Sequence, residues 1–157
     1  MVNKTKSAST NILFVCTGNT CRSPMAQIIF DNLCKRKGRR DIKITSAGLF
    51  TIDGMPQTIT AVEALIHCGE KLGRKTIKST LFKPEMIRKQ DYIITMSGEH
   101  AKRIGDFEHV KSLNEFTGCG EILDPFGQKI DVYIECCKKL QVALSSLYDI
   151  LFALEVG

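Results

Sequence analysis

The sequence predicts an α/β fold: a three-layer, doubly wound sheet of about four parallel strands with helices on both faces. Two observations carry this. Short apolar runs rich in β-branched and aromatic residues alternate with longer stretches of helical periodicity. The first run also passes through a tight glycine-containing loop directly into a helix start. In such folds that junction lies at the carboxyl end of the sheet, where ligands bind.

Taken in order, Ile12–Val15 is the first strand, and Met25–Arg36 an amphipathic helix ending at Gly38. Ser23 and Pro24 supply that helix's start chemistry. Ile42–Ser46 alternates like a strand, and Thr58–Leu72 reads as helix. A short helix near Pro84–Lys89 precedes the uninterrupted apolar strand Tyr92–Met96. Glu99–Ile104 is a short helix and Val110–Leu113 a last, weaker strand. Lys129–Leu154 is a long amphipathic helix, with Val132, Cys136, Leu140, Leu144, Leu147 and Leu151 expected to face the core.

Composition bounds the rest. At 157 residues, 43% hydrophobic and 25% charged, the chain suits one enzyme-sized domain, read as residues 11–157 after a flexible polar tail at 1–10. No apolar stretch reaches the ~18 residues of a membrane span, and the N-terminus lacks a secretory apolar segment. Seven cysteines without CxxC spacing argue against a disulfide framework or zinc site and for a reducing cytoplasm. The net charge of +5 is moderate, and Lys35-Arg36-Lys37 with Arg39-Arg40 reads as a solvated helix end. Without interleaved aromatics it is not a nucleic-acid patch.

Chemistry concentrates in Cys16-Thr-Gly-Asn-Thr-Cys-Arg22-Ser23-Pro24. A strand, a tight loop and a helix N-terminus in that order make an anion cradle. Here a thiol stands at its start and a guanidinium at its end. Cys16 can attack phosphorus while Arg22 clasps the oxygens in a bidentate fork. A helix N-terminus and a neighbouring cation both favour the thiolate. Gly18 lets the backbone approach an oxyanion, and Asn19 tolerates the left-handed region. Cys21, on the same loop, reads equally as a partner for oxidised Cys16 or as a small packing residue. Cys34, Cys68, Cys119, Cys136 and Cys137 read as packing residues.

From Val15 to Pro24 the chain resembles the signature V-C-x-G-N-x-C-R-S-P of the low-molecular-weight phosphotyrosine phosphatase family at every fixed position. Asp124-Pro125-Phe126-Gly127 is similar to that family's Asp-Pro loop, and Ser46-Ala47-Gly48 to its segment after the second strand. The resemblance spans residues 10 to 155, nearly the whole chain. It implies the phosphotyrosine phosphatase I, or flavodoxin-like, topology and a phosphocysteine intermediate. Cys16 is then the nucleophile, Arg22 the clamp, and Asp124 the acid for the leaving group and the base for water. Thr17, Gly18, Asn19, Thr20, Cys21, Ser23 and Phe126 are expected to form the substrate site, with Ser46 in support. Arg22 and the loop amides do the charge stabilisation, so no metal and no cofactor are expected.

Thr20 bears on the substrate. The resemblance implies a bulky aliphatic residue there in tyrosine-directed members, and the run Phe14–Met25 is similar to the bacterial protein-arginine-phosphatase branch, where the equivalent threonine accompanies phosphoarginine preference. One aromatic after Asp-Pro, rather than two, agrees. The expected activity is hydrolysis of protein phosphoarginine by a cytoplasmic monomer, with phosphotyrosine as the alternative. Arsenate reduction fits less well, because residues 77–118 lack cysteine. A non-catalytic phosphoresidue-binding module would not need the nucleophile.

One departure from the family is the missing histidine that braces the cradle asparagine; Thr76–Thr80 has none, and Ser79 or Ser46 is the expected substitute. His67 is expected on a helix face and His100 and His109 near surface turns, so pH dependence is assigned to Cys16 and Asp124.

Overall fold

The computed structural model describes residues 9–73 and 77–153. Residues 1–8 of the expected tail, and Leu154 at the expected end of the last helix, lie outside the described residues. The sheet is four-stranded and parallel, in the order β2-β1-β3-β4. Its strands are β1 (Thr10–Cys16), β2 (Ile42–Gly48), β3 (Tyr92–Thr95) and β4 (Val110–Ser112). Thr10 pairs with Ile42 and so belongs to the sheet rather than to a tail. β1 is central and buried from Ile12 onward, as the unbroken apolar run requires.

Alternation along β1 divides the interior. Ile12, Phe14 and Cys16 face a core built with α1 (Arg22–Arg36), α2 (Ile59–His67) and α5 (Ile130–Phe152). Leu13 and Val15 face a smaller core closed by α3 (Gly98–Ile104) and by Met86 and Ile87 of the 3₁₀ turn Pro84–Lys89. Helices on both faces make the expected three layers. Because the chain leaves β1 for β2 on one side and returns to β3 on the other, the carboxyl end of β1 is the topological switch point.

Three expectations need correction. α2 stops at His67, five residues short of Leu72. Gly69 adopts φ +83°, its N–H bonds to Ile66 O and that of Glu70 to Leu65 O, which is a Schellman stop. The weak fourth strand ends at Ser112, and a short helix α4 (Leu113–Thr117) follows. Ser112 and Glu115 cap it reciprocally at 3.1 and 3.0 Å. On α5, Val132 is 41% exposed; Tyr133, one position on, is the residue buried beside Cys136, Cys137 and Leu140.

Candidate active site

Residues 16–22 form a loop held from behind by the chain that follows β2. The carbonyls of Cys16, Thr17 and Thr20 accept hydrogen bonds from the backbone N–H groups of Leu49, Phe50 and Thr58 at 2.9–3.0 Å. Those carbonyls are thereby turned away from the cavity, so their negative ends do not face an anion. Gly48 makes this approach possible: a Cβ there would lie 2.7 Å from the Thr17 carbonyl oxygen and 3.0 Å from the Asn19 nitrogen. Asn19 sits at φ +58°, the one described non-glycine residue in the left-handed region.

A polar chain stiffens the loop. Asn19 Nδ2 donates to Ser23 Oγ at 2.7 Å and to Ser46 Oγ at 3.0 Å, and its Oδ1 accepts from Thr80 N at 2.9 Å. Ser46 in turn donates to Gln27 Oε1 at 2.6 Å. With its oxygen accepting from Asn19, the Ser23 hydroxyl is left to donate, and Cys16 Sγ at 2.9 Å is a nearer acceptor than Ala47 O at 3.5 Å. The Asn19 backbone N–H also points to that sulfur, at 3.3 Å. Two donors therefore converge on the atom that would carry charge. Of the two serines expected to replace the family's histidine, Ser46 makes the contact. Ser79 instead bonds Ile52 O and Met55 N, while the backbone of Thr80 reaches Asn19.

α1 begins at Arg22 with Cys21 as N-cap, no side-chain cap and no acidic residue in its first turn. Its positive end is thus left for a ligand. The Arg22 side chain is buried and fixed from several directions. Nη1 donates to Ile122 O at 3.0 Å, Nη2 donates to Thr17 Oγ1 at 3.3 Å, and Asp124 Oδ2 lies 3.6 Å from Nη2. Asp124 is carried on the segment between α4 and α5. That segment is tied just beyond the end of β3 by Ile122 N to Met96 O, and to the start of α3 by the Glu121 side chain accepting from Gly98 N. Asp124 Oδ1 caps its own turn by accepting from Phe126 N at 3.1 Å.

These pieces enclose a cavity of about 210 Å³ lined by Cys16, Thr17, Gly18, Asn19, Thr20, Cys21, Arg22, Asp124 and Phe126. Of the residues expected in the site, Ser23 and Ser46 stand behind this lining rather than in it. The Cys21 thiol is buried, 3.2 Å from Thr58 Oγ1 and 3.7 Å from the Tyr133 hydroxyl. Burial and that thiol push the Tyr133 phenol up to about 12.

His100 does not lie near a surface turn. It sits on α3, is 7% exposed, and its Nε2 is 2.9 Å from Thr17 Oγ1. Burial, and secondarily the Arg22 charge, push its pKa down to about 4. Nothing in the local sequence announces this, because the contact joins residues 83 positions apart. His67 ends α2 at the surface, and His109 lies within 2.7 Å of Ile87 O.

The arrangement can bind a tetrahedral dianion, attack it with sulfur and protonate a leaving group from Asp124. Residues 11–154 match the family model described as low molecular weight phosphotyrosine protein phosphatase. The protein-arginine-phosphatase of Bacillus subtilis is 36% identical over 87% of this chain and 93% of its own. The low molecular weight protein-tyrosine-phosphatase PtpB of Staphylococcus haemolyticus is 34% identical over 87% of this chain and 96% of its own. A solved structure of a Cys-to-Ser mutant of YwlE arginine phosphatase, with a phosphorylated active-site serine, superposes with a TM-score of 0.81. It is 32% identical and covers 90% of this chain and 95% of that one.

Proposed function

This chain belongs to the low molecular weight phosphotyrosine protein phosphatase family, and on that premise we propose that it hydrolyses protein phosphoarginine with Cys16 as nucleophile. The Cys16 thiolate attacks phosphorus and the P–N bond breaks, its electron pair going to the guanidino nitrogen. Asp124 delivers a proton there. Water then opens the phosphocysteine, giving its proton to Asp124, and phosphate and the Cys16 thiolate are released. The Ser23 hydroxyl donates to the departing sulfur. Arg22 and the α1 N-terminus balance charge on the equatorial oxygens.

The observation that carries the substrate reading is the lining of the cavity. Its volume of about 210 Å³ is bounded by Thr17 and Thr20 and by a single aromatic, Phe126, which is 66% exposed. A phenyl ring gains by burial between apolar walls. A guanidinium needs polar partners instead, and the Asp124 carboxyl and the Thr20 hydroxyl supply them. The protein-arginine-phosphatase among the relatives agrees. Phosphotyrosine is the second reading, favoured by the similarity to PtpB.

The reading extends to context. All seven cysteines are free, which supports a reducing, cytoplasmic setting. Among the described residues no helix is long and apolar enough to cross a membrane. The partners are phosphorylated proteins, met as a single-domain monomer. The test is kcat/KM on phosphoarginine and phosphotyrosine versions of one peptide, for wild type and Thr20→Ile. A preference for phosphoarginine that reverses on substitution is expected; wild-type preference for phosphotyrosine sinks the substrate assignment and keeps the mechanism.

A further inference from the structure

The Thr17 hydroxyl has one proton and two lone pairs. Arg22 Nη2 donates to its oxygen at 3.3 Å, and His100 Nε2 lies 2.9 Å from the same atom. His100 is 7% exposed, and its other ring nitrogen, Nδ1, meets no hydrogen-bond partner. That orphan selects the tautomer. A proton on Nδ1 would leave a buried N–H with nothing to donate to, whereas a bare Nδ1 leaves only an unfilled acceptor, the smaller cost. The ring proton therefore belongs on Nε2, which donates to Thr17. With Arg22 and His100 filling both lone pairs, the hydroxyl proton has no acceptor among the described residues. Thr17 lines the cavity, so the proton turns toward it.

We infer that His100 is a positioning residue, which holds the Thr17 hydroxyl as a donor aimed at a phosphoryl oxygen and steadies the Arg22 guanidinium through the same oxygen. The inference rests on reading the cavity between Cys16 and Arg22 as the phosphoryl site. Its chemistry requires a neutral imidazole. The charged groups around His100 are Arg22 from α1, Arg103 on its own helix, and Glu121 and Asp124 from the loop before α5; burial and Arg22 are the largest influences, and both favour the neutral ring.

Binding of inorganic phosphate, read by titration calorimetry, tests this without dependence on substrate class or on Asp124 chemistry. The proteins are wild type, His100→Leu, His100→Gln, Thr17→Val and the double variant His100→Leu/Thr17→Val, each checked for a single cooperative unfolding transition above the assay temperature. Losing one donor to a charged ligand should weaken phosphate binding about tenfold in His100→Leu and in Thr17→Val. The double variant should be no weaker than either single one, because one relay is cut twice. His100→Gln, whose amide reaches the Nε2 position, should restore most of the affinity. Should His100→Leu fail to fold, His100→Asn replaces it, since its shorter amide stops short of Thr17. Multiplying losses in the double variant, or a glutamine variant as weak as leucine, would overturn the inference. Full affinity in His100→Leu would do the same. Wild-type protein that binds no phosphate would instead overturn the reading of the cavity itself.

Discussion

The two halves of the proposed catalytic apparatus are built in opposite ways. The cradle, Cys16 to Arg22, continues a central strand, and its nucleophile, asparagine, arginine and flanking serine are all buried. Every polar atom of the Asn19 amide is paired. The proposed acid, Asp124, sits on a segment where Leu123 is 77% and Phe126 66% exposed, and its own side chain is half open to solvent. The difference follows from the two tasks. Binding and attack need donors fixed before the anion arrives. Proton transfer needs a group that meets a protein side chain in one half-reaction and water in the next. Rigidity is concentrated where charge must be met, and exposure where two partners must enter.

Variants can break that contrast, beginning with the largest effect. Cys16→Ser should abolish steady-state turnover while phosphate still binds, seen as heat in calorimetry without product release. Asp124→Asn should retain the cradle and lower kcat by about 10²–10⁴ toward substrates with poor leaving groups. Near-full activity there would remove Asp124 from its role. A pH titration probes the cradle's flank. His100 binds its proton near 6.5 when unfolded but only near 4 in the fold. The unfolded chain therefore holds more protons across that interval, and stability falls as pH falls through it. The contribution, complete above pH 6.5, is on the order of 3 kcal/mol. Urea unfolding of wild type and His100→Gln between pH 4 and 7 measures it, and parallel curves would refute it. Gly48→Ala should cost about 1–3 kcal/mol, because its Cβ presses on the cradle backbone. Leu123→Ala, on the open segment, should change stability by less than about 0.5 kcal/mol. Equal costs at Gly48 and Leu123 would erase the comparison.

Much of this was legible in the sequence because the information is local. The apolar runs located all four strands, and a thiol, glycine, asparagine and arginine at fixed spacing located the cradle. Asn19 is a residue type that tolerates the left-handed region, and it adopts φ +58°. Two misses were also local. The Ser112-to-Glu115 capping box that starts α4 and the Gly69 stop after α2 are both visible as residues, and helical periodicity masked the second. Val132 and Tyr133 are adjacent, so the stripe on α5 was misread by one position where helical rotation is about 100°. His100 was not legible at all. Its burial and its contact with Thr17 depend on how α3 packs against β3 and β4 and on the position of Arg22, which only tertiary structure supplies.

The hydrogen bond from Arg22 to the Ile122 carbonyl joins residues exactly one hundred positions apart, and it bears on how the protein is born. Ribosomes extend chains at about 5–20 residues per second, so the thiol and its loop emerge about 5–20 s before the partner that orients the guanidinium. Until then, on the proposed assignment, the nascent chain carries Cys16 without a seated Arg22 or the Asp124 carboxyl. Competence as a catalyst arrives late in synthesis, when the segment around Ile122 and Asp124 docks on the end of β3. An unfinished or truncated polypeptide that lacks this segment has no Ile122 carbonyl to seat Arg22 and no Asp124, so the proposed chemistry requires the later half of the chain.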